Sequence, residues 1–443
     1  MAGGVDMFDV AVVGGGPAGI AAAMAASACG AATVLLERED VLGGNVSQAF
    51  VHTICGLYLP SARREAVHAH PGIPQAFARA LERSGRAGGI GWAGTAAYLA
   101  IDPMAFAELA LHSCSRAGVD VRCRSTLTAV ELGATPREPS RLHVQHGDAV
   151  AARTVVDCSG DAAVAALAGA AVEQAGPLEL QHCSYIFRVD GVGADGLDAM
   201  EGARTGTAVA RAARRGALPP AAASITIRRG VAGVSGSRSS AAGASVFVTV
   251  NLPKPDPQRF DPLDASVLER MNHDAREAAR AILEYLVRER PPFADAVMGA
   301  QPARAGIRET RRVRGRERLE LDDVLSGRRR QDEACLSTWP VELWERSDRL
   351  SFRAGAGPCS IPLGALVAAD SDVLAMAGRC ASASHEASGA TRVIGTSMAM
   401  GEAAGVACAL AARDLRSLVD IAPEDIRSVI SAGKTCATLH QGG

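Results

Sequence analysis

The stretch FDVAVVGGGPAGIAAAMAAS, residues 8–27, decides the fold. Val10 to Val13 form a short continuous apolar run, the pattern of a strand buried on both faces. Three glycines follow, and then a helix made almost wholly of alanine. Gly14, Gly16 and Gly19 give the spacing G-x-G-x-x-G. The next apolar run, TVLLERED, ends in Glu37, 23 residues after Gly14. Strand, glycine turn, helix and an acid closing the next strand are together the dinucleotide fingerprint. Gly14 permits the tight turn, Gly16 lets backbone approach a pyrophosphate, and Gly19 lets helix and strand pack, with Ala18 beside it. The helix start offers N–H groups to phosphate, and Glu37, followed by Arg38, would accept the ribose hydroxyls.

Working outward, Asp102-Pro103 opens an amphipathic helix, MAFAELALHSCSRAG. After it VDVRCRSTLTAVEL, RLHVQHG and AARTVVDCSGD read as short strands joined by turns. The first ~175 residues thus alternate strand and helix, which predicts an α/β, doubly wound parallel sheet. Beyond residue 180 the texture changes. SYIFRVDG and SVFVTVNL read as strands, residues 216–244 as a flexible excursion rich in Gly, Ala, Ser and Pro, and residues 263–289 as a long charged helix. DVLAMAG returns to the buried-strand pattern. The expected organisation is residues 1–180 as the first part of a dinucleotide-binding domain, 181–354 as an inserted α+β substrate domain, and 355–443 as the rest of the first domain.

Length and composition agree with that scale. The 443 residues exceed one compact core, and 48% are apolar. A formal net charge of −2 gives nucleic acid or an anionic membrane surface no purchase. Eleven cysteines without a CxxC pair fit free thiols in a reducing compartment, no apolar run reaches the ~20 residues of a membrane span, and MAGGVDMFDVAVVGGG lacks the basic region of a secretory signal. A cytoplasmic protein is expected. His68-x-His70 has no third ligand nearby, so no metal is expected.

Further stretches bear on chemistry. Gly191, Gly193 and Gly196 repeat the glycine spacing, but the strand before them is not a buried apolar run and no acid-terminated strand follows, so they read as a turn. Gly43-Gly44, in VLGGNVSQAF, would let a loop pass against a flat ring or phosphates. In VVDCSGDAAVAALAGA, Gly160 and Asp161 fit either a phosphate-side turn or an ordinary helix cap, and the stretch leaves both open. DVLAMAGR ends at Gly378-Arg379, and TRVIGTSMAMGEAAG starts a helix with Gly395 and Thr396 in its first turn, Arg392 just before it. Such a helix end stabilises developing anionic charge on a ring. The small residues of 378–405 suit either a flat cofactor lying on backbone or a tightly packed helix.

At this point the chain resembles the FAD-dependent oxidoreductases of the glutathione-reductase-like flavoprotein class, more narrowly the group that includes the flavin subunit of heterodisulfide reductase. Five stretches carry the resemblance: VVGGGPAGIAAA, VLGGNVSQAF, VVDCSGDAAVAALAGA, GIRETRRVRGRERLELDDVLSG and AGRCASASHEASGATRVIGTSMAMGEAAGVACALAA. It implies FAD as the cofactor, with the insertion over the flavin. Gly14, Gly16, Gly19, Glu37, Gly44, Gly378, Arg379, Gly395 and Thr396 match the motif positions that contact FAD, and Leu127 stands where the adenine is held by backbone. The chain lacks a cysteine-rich iron–sulfur segment and a redox cysteine pair after the first helix, which sets aside disulfide chemistry. Trp344 stands in WPVELW where the family pattern has His. The expected activity is oxidation of a small organic substrate by hydride transfer to FAD, reoxidised by oxygen or another acceptor. The alternative is a single-component monooxygenase using NAD(P)H. Candidate catalytic groups are His52 after the glycine pair, His385 before the last long helix, and Arg308, which with Arg311 could bind a carboxylate or instead form ion pairs with Glu309, Asp322 or Asp323.

Overall fold

The computed structural model describes residues 6–193, 195, 198–231, 244–436 and 439. Gly196 and residues 232–243 of the expected excursion lie outside the described residues.

The apolar run at the start forms the strand Asp6–Val13 in a seven-stranded sheet. Thr33–Leu36 pairs with it on one side, with Asp120–Arg122 beyond, and Val150–Asp157 on the other, all parallel. Two strands then share the far edge of Val150–Asp157. Leu374–Met376 pairs in parallel with its second half, from Val155 to Asp157. Ser140–Val144 pairs with its first half in antiparallel sense, and Leu127–Glu131 follows, also antiparallel. The parallel core is as the alternation predicts, with an antiparallel edge in addition. Register aligns Val13 with Leu36 and Asp157, and Asp157 with Met376. Four strand ends therefore open on one rim, where Gly14, Glu37, Cys158 and Gly378 begin their loops; ligands of open parallel sheets bind at such a rim.

Helix Pro17–Ala28 lies on one face of the sheet, against helix Ile394–Asp414. The contact is backbone to backbone. A Cβ on Gly401 would come 2.0 Å from the Ala18 carbonyl oxygen, and one on Gly405 would come 2.2 Å from that of Ala22. Gly389 and Gly395 likewise abut the Glu342 and Gly56 carbonyls. Most small residues of 378–405 thus serve close packing of protein on protein. Ile394–Asp414 is long and apolar enough to cross a membrane by length and composition, and its apolar stretch, as far as Ala412, is buried inside the fold.

A second, antiparallel sheet has the order Ile225–Arg229, Ala244–Asn251, Ser184–Val192, Val297–Met298. Ile225–Arg229 corrects the reading of 216–244 as loop: Ile225 and Ile227 pack into the core below the sheet, which alternation with Thr226 and Arg228 makes possible. Gly191 lies in the strand Ser184–Val192 near a register shift, which corrects the reading of this position as a turn. The helix Ala265–Glu289, capped by the Asp264 side chain, covers this sheet with Met271, Ala275, Ala279 and Ile282 in a core of its own. The apolar residues of 319–343, read from sequence as part of the insertion, instead join the first core through Leu319, Val324, Cys335, Val341 and Leu343. A small antiparallel sheet of Thr53–Cys55, Ala96–Ile101 and Ala87–Ala93 completes the surroundings of the rim.

Candidate functional site

The glycine turn has three different physical roles. Gly14 has φ +101°, and a Cβ there would meet the Cys158 carbonyl oxygen at 2.5 Å; a Cβ on Gly19 would lie 1.8 Å from the Gly14 oxygen. Gly16 differs. As N-cap of helix Pro17–Ala28 it has ordinary extended backbone, and its Cβ would meet nothing nearer than Gly44 Cα at 4.0 Å. Gly44 needs its positive φ of 53°, and together the two bare backbones line one side of a cleft of about 630 Å³. The buried Glu37 carboxylate accepts from the N–H groups of Gly15 and Glu39 and also faces the cleft.

The same cleft is lined by Ala18, Arg38, Leu127, Gly160, Gly378, Arg379 and Arg392 among the expected cofactor residues, and by His52 and Arg308 among the expected catalytic ones. Gly19, Gly43, Asp161, Gly395, Thr396 and His385 are not on its lining. Asp161 sits just behind it, taking Arg379 at 2.7 Å and Thr310 at 3.0 Å, with Arg38 at 3.5 Å; burial works against its charge, but the two arginines outweigh it and hold its pKa below the usual range. The helix Ile394–Asp414 does present its start to the cleft, through Val393, Ile394 and Ser397. Gly395 turns instead onto Gly56, and Thr396 is fully buried without a partner for its hydroxyl among the described residues. His385 bonds Glu309 at 2.9 Å, and Glu309 also binds Arg312. Burial disfavours charged His385, but the Glu309 carboxylate outweighs that and raises its pKa. This is an internal ion pair away from the cleft. Arg311 likewise bonds the Asp161 carbonyl.

His52 is buried, stacked on Phe247 with centroids 4.5 Å apart. Its Nδ1 lies 3.2 Å from the Phe50 carbonyl. A carbonyl only accepts, so Nδ1 carries the proton and Nε2 the lone pair. Nε2 is buried and has no partner among the described residues. Burial, reinforced by the charge of Arg228, pushes the pKa down to about 3, so the ring is neutral throughout the physiological range.

The opposite wall is the bare face of the second sheet. Period-two alternation sends Tyr185, Phe187, Val248 and Val250 into their own core and Ser184, Ile186, Thr226, Arg228, Thr249 and Asn251 into the cleft. Trp339, Glu342 and Trp344 close one corner, where Glu342 accepts from both indole N–H groups, at 2.9 and 3.0 Å. Burial works to raise its pKa, but Arg392 and the indoles outweigh burial and lower it. Arg308 lies 5.1 Å over the Trp344 ring and donates to Asn251 at 2.7 Å and to the His182 carbonyl; burial, with Arg392 beside it, pushes its pKa down to about 10. Sequence reasoning passed over Tyr98, Arg228, Asn251, Arg304, Glu342 and Trp339, all on the cleft. The alternation in SITIRR and SVFVTVN was the available signal for two of them.

A glycine turn between buried strand and helix, opening on a cleft with a carboxylate from the neighbouring strand end, defines a dinucleotide-binding protein. The chain belongs to the FAD dependent oxidoreductase family, whose model matches residues 9–430. It is accordingly an FAD-dependent oxidoreductase. None of the curated proteins matches it. Among solved structures it is similar to the Diels-Alderase PyrE3 of the pyrroindomycin biosynthetic pathway, at 14% identity over 98% of this chain and 72% of that one, TM-score 0.45. It is also similar to a geranylgeranyl bacteriochlorophyll reductase-like protein from Thermoplasma acidophilum, at 13% identity over 99% and 83%, TM-score 0.43. A third is p-nitrophenol 4-monooxygenase PnpA from Pseudomonas putida DLL-E4, at 12% identity over 98% and 89%, TM-score 0.45. Likeness at this level says nothing of substrate or reaction.

Proposed function

We propose that the protein oxidises a small organic substrate by hydride transfer to FAD, with oxygen or another acceptor taking the electrons on. One observation carries the reading: a single cleft runs from the glycine turn and Glu37 to His52, whose unpartnered Nε2 is a neutral hydrogen-bond acceptor. The cradle fits the cofactor, since the bare Gly16 and Gly44 backbones leave room that any Cβ would narrow. Gly14, Gly16, Ala18, Glu37, Arg38, Gly44, Leu127, Gly160, Gly378 and Arg379 would hold FAD. Bound FAD supplies a two-electron acceptor. With FAD bound, His52 Nε2 would accept a hydrogen bond from a substrate hydroxyl or amine and orient it, the neighbouring C–H bond giving its hydride to the flavin and the X–H proton passing to solvent, so that a C–XH group becomes C=X. The Phe50 carbonyl fixes the tautomer and Phe247 fixes the ring plane.

The finer kinship with the glutathione-reductase-like class, in the group of the heterodisulfide reductase flavin subunit, is part of this proposal, supported by the five motif stretches. So is the division at residues 181 and 354, supported by a second core drawn from Leu180 to Ile307, with the packing of 319–343 moving weight to an earlier return. A cytoplasmic setting is supported by the lack of any disulfide among the described residues.

The experiment is anaerobic reduction of the purified, FAD-loaded protein by a panel of alcohols, amines and hydroxy acids, with NADPH alongside. Bleaching of the flavin by a C–H donor, slowed at least tenfold in His52→Gln, is expected. Bleaching by NADPH alone, followed by oxygen insertion into an aromatic substrate, would overturn the reading in favour of the monooxygenase.

A further inference from the structure

The corner of the cleft built by Arg308, Arg392, Glu342, Trp339 and Trp344 has an unbalanced charge and unmet donors. It holds two guanidiniums and one carboxylate. Glu342 is already committed, each oxygen accepting an indole N–H. Arg392 donates to Gln181 Oε1 at 3.2 Å and to the Glu342 carbonyl at 3.1 Å, yet its buried Nε has no acceptor among the described residues, and neither has Gln181 Nε2. Buried donors are rarely left without acceptors, and an uncompensated buried cation is costly. Both indoles are tethered through their nitrogens, which fixes their planes.

We propose that the substrate carries a carboxylate, bound by Arg308 and Arg392, on a planar apolar body lying against Trp339 and Trp344. A carboxylate supplies one negative charge for the one excess positive charge and accepts from a guanidinium fork in two places. A phosphate would bring more charge than the corner can balance. Flat apolar surface suits indole faces, and the planar guanidinium of Arg308 lies over Trp344 in a cation–π contact. The inference rests on the reading of the cleft as the substrate site of the flavin oxidoreductase. It extends that reading from a generic small organic substrate to an aromatic or conjugated acid.

The test is binding without turnover. The oxidised, FAD-loaded protein is titrated with benzoate, benzamide and inorganic phosphate while the flavin absorbance is followed, and the titrations are repeated on Arg308→Met and Arg392→Met. Expected are a saturable spectral change with benzoate, at least tenfold weaker binding of benzamide, and loss of at least tenfold in benzoate affinity in either variant with benzamide unaffected. Equal affinity for benzoate and benzamide, phosphate displacing benzoate at comparable concentration, or an absence of any benzoate effect on the wild-type protein each overturns the proposal. The wild-type comparison decides the matter even where a variant does not fold. If benzoate binds as expected while no C–H donor reduces the flavin, the carboxylate site stands and the oxidation reading falls.

Discussion

Glu402→Gln should stabilise the protein at alkaline pH and flatten its pH dependence. Glu402 lies within the helix Ile394–Asp414, only 1% exposed. A single oxygen, Oε1, accepts from the Ile73 N–H at 3.0 Å and from the Thr435 hydroxyl. Burial, partly offset by these two bonds, raises the pKa from 4.5 to about 7. The folded state thus binds a proton that the unfolded chain gives up near 4.5. The contribution is fully present below pH 4.5, and is lost as pH rises through about 7. At roughly 1.4 kcal/mol per tenfold in proton affinity, the whole displacement corresponds to about 3 kcal/mol lost by pH 8.5. Glutamine matches the protonated acid in shape: its carbonyl oxygen can keep both contacts, and it carries no charge to bury. Urea unfolding of both proteins at pH 5, 7 and 8.5 reads this out. The variant should equal the wild type within about 1 kcal/mol at pH 5 and exceed it by about 2–3 kcal/mol at pH 8.5. A difference that does not change with pH would mean that Glu402 does not titrate in the fold, and the reasoning would fail.

Gly16→Val should leave a folded protein that no longer retains FAD, because its Cβ has open space but faces the cleft, whereas Gly19→Ala should not fold, its Cβ standing 1.8 Å from a carbonyl oxygen; melting curves and the flavin content of purified protein check both. Ser397→Asp, at the start of the last long helix, should keep FAD and lower the flavin midpoint potential by about 20 mV, since a dipole end is worth on the order of 1 kcal/mol and ~30 mV equals roughly 1.4 kcal/mol for two electrons. Gly395→Asp is the wrong probe of that helix end, because its Cβ would press on the Gly56 carbonyl at 2.7 Å; an unchanged potential in Ser397→Asp would place the ring elsewhere.

The dinucleotide half of the site was legible because its signals are local. A buried strand, a glycine turn and an alanine helix occupy 20 consecutive residues, and Glu37 needs only one more strand. The opposite wall was not legible for a physical reason. Arg228, Thr249 and Asn251 reach the cleft only once Ile225–Arg229 and Ala244–Asn251 pair, and the glycine- and serine-rich surroundings of the first strand masked its alternation. His385 and Gly395 illustrate another limit. Each was expected at the site, but which side of a helix faces a cavity depends on what packs behind it, here Glu309 and the Gly56 backbone. Trp344 stood out as a departure from the family pattern, and its partnership with Glu342 and Arg308 could be read only in three dimensions.

The contact of Gly401 and Gly405 with Ala18 and Ala22 also bears on how the protein is made. The two helices are partners in the finished core, yet they stand almost 400 residues apart along the chain. A ribosome adding about 5–20 residues per second delivers the second helix roughly 20–80 s after the first. Throughout that interval the alanine face of Pro17–Ala28 has no mate, and the glycine turn ahead of it lacks the support that aims it at the cofactor. Flavin capture that depends on this packing therefore waits until the last long helix has been made and docks.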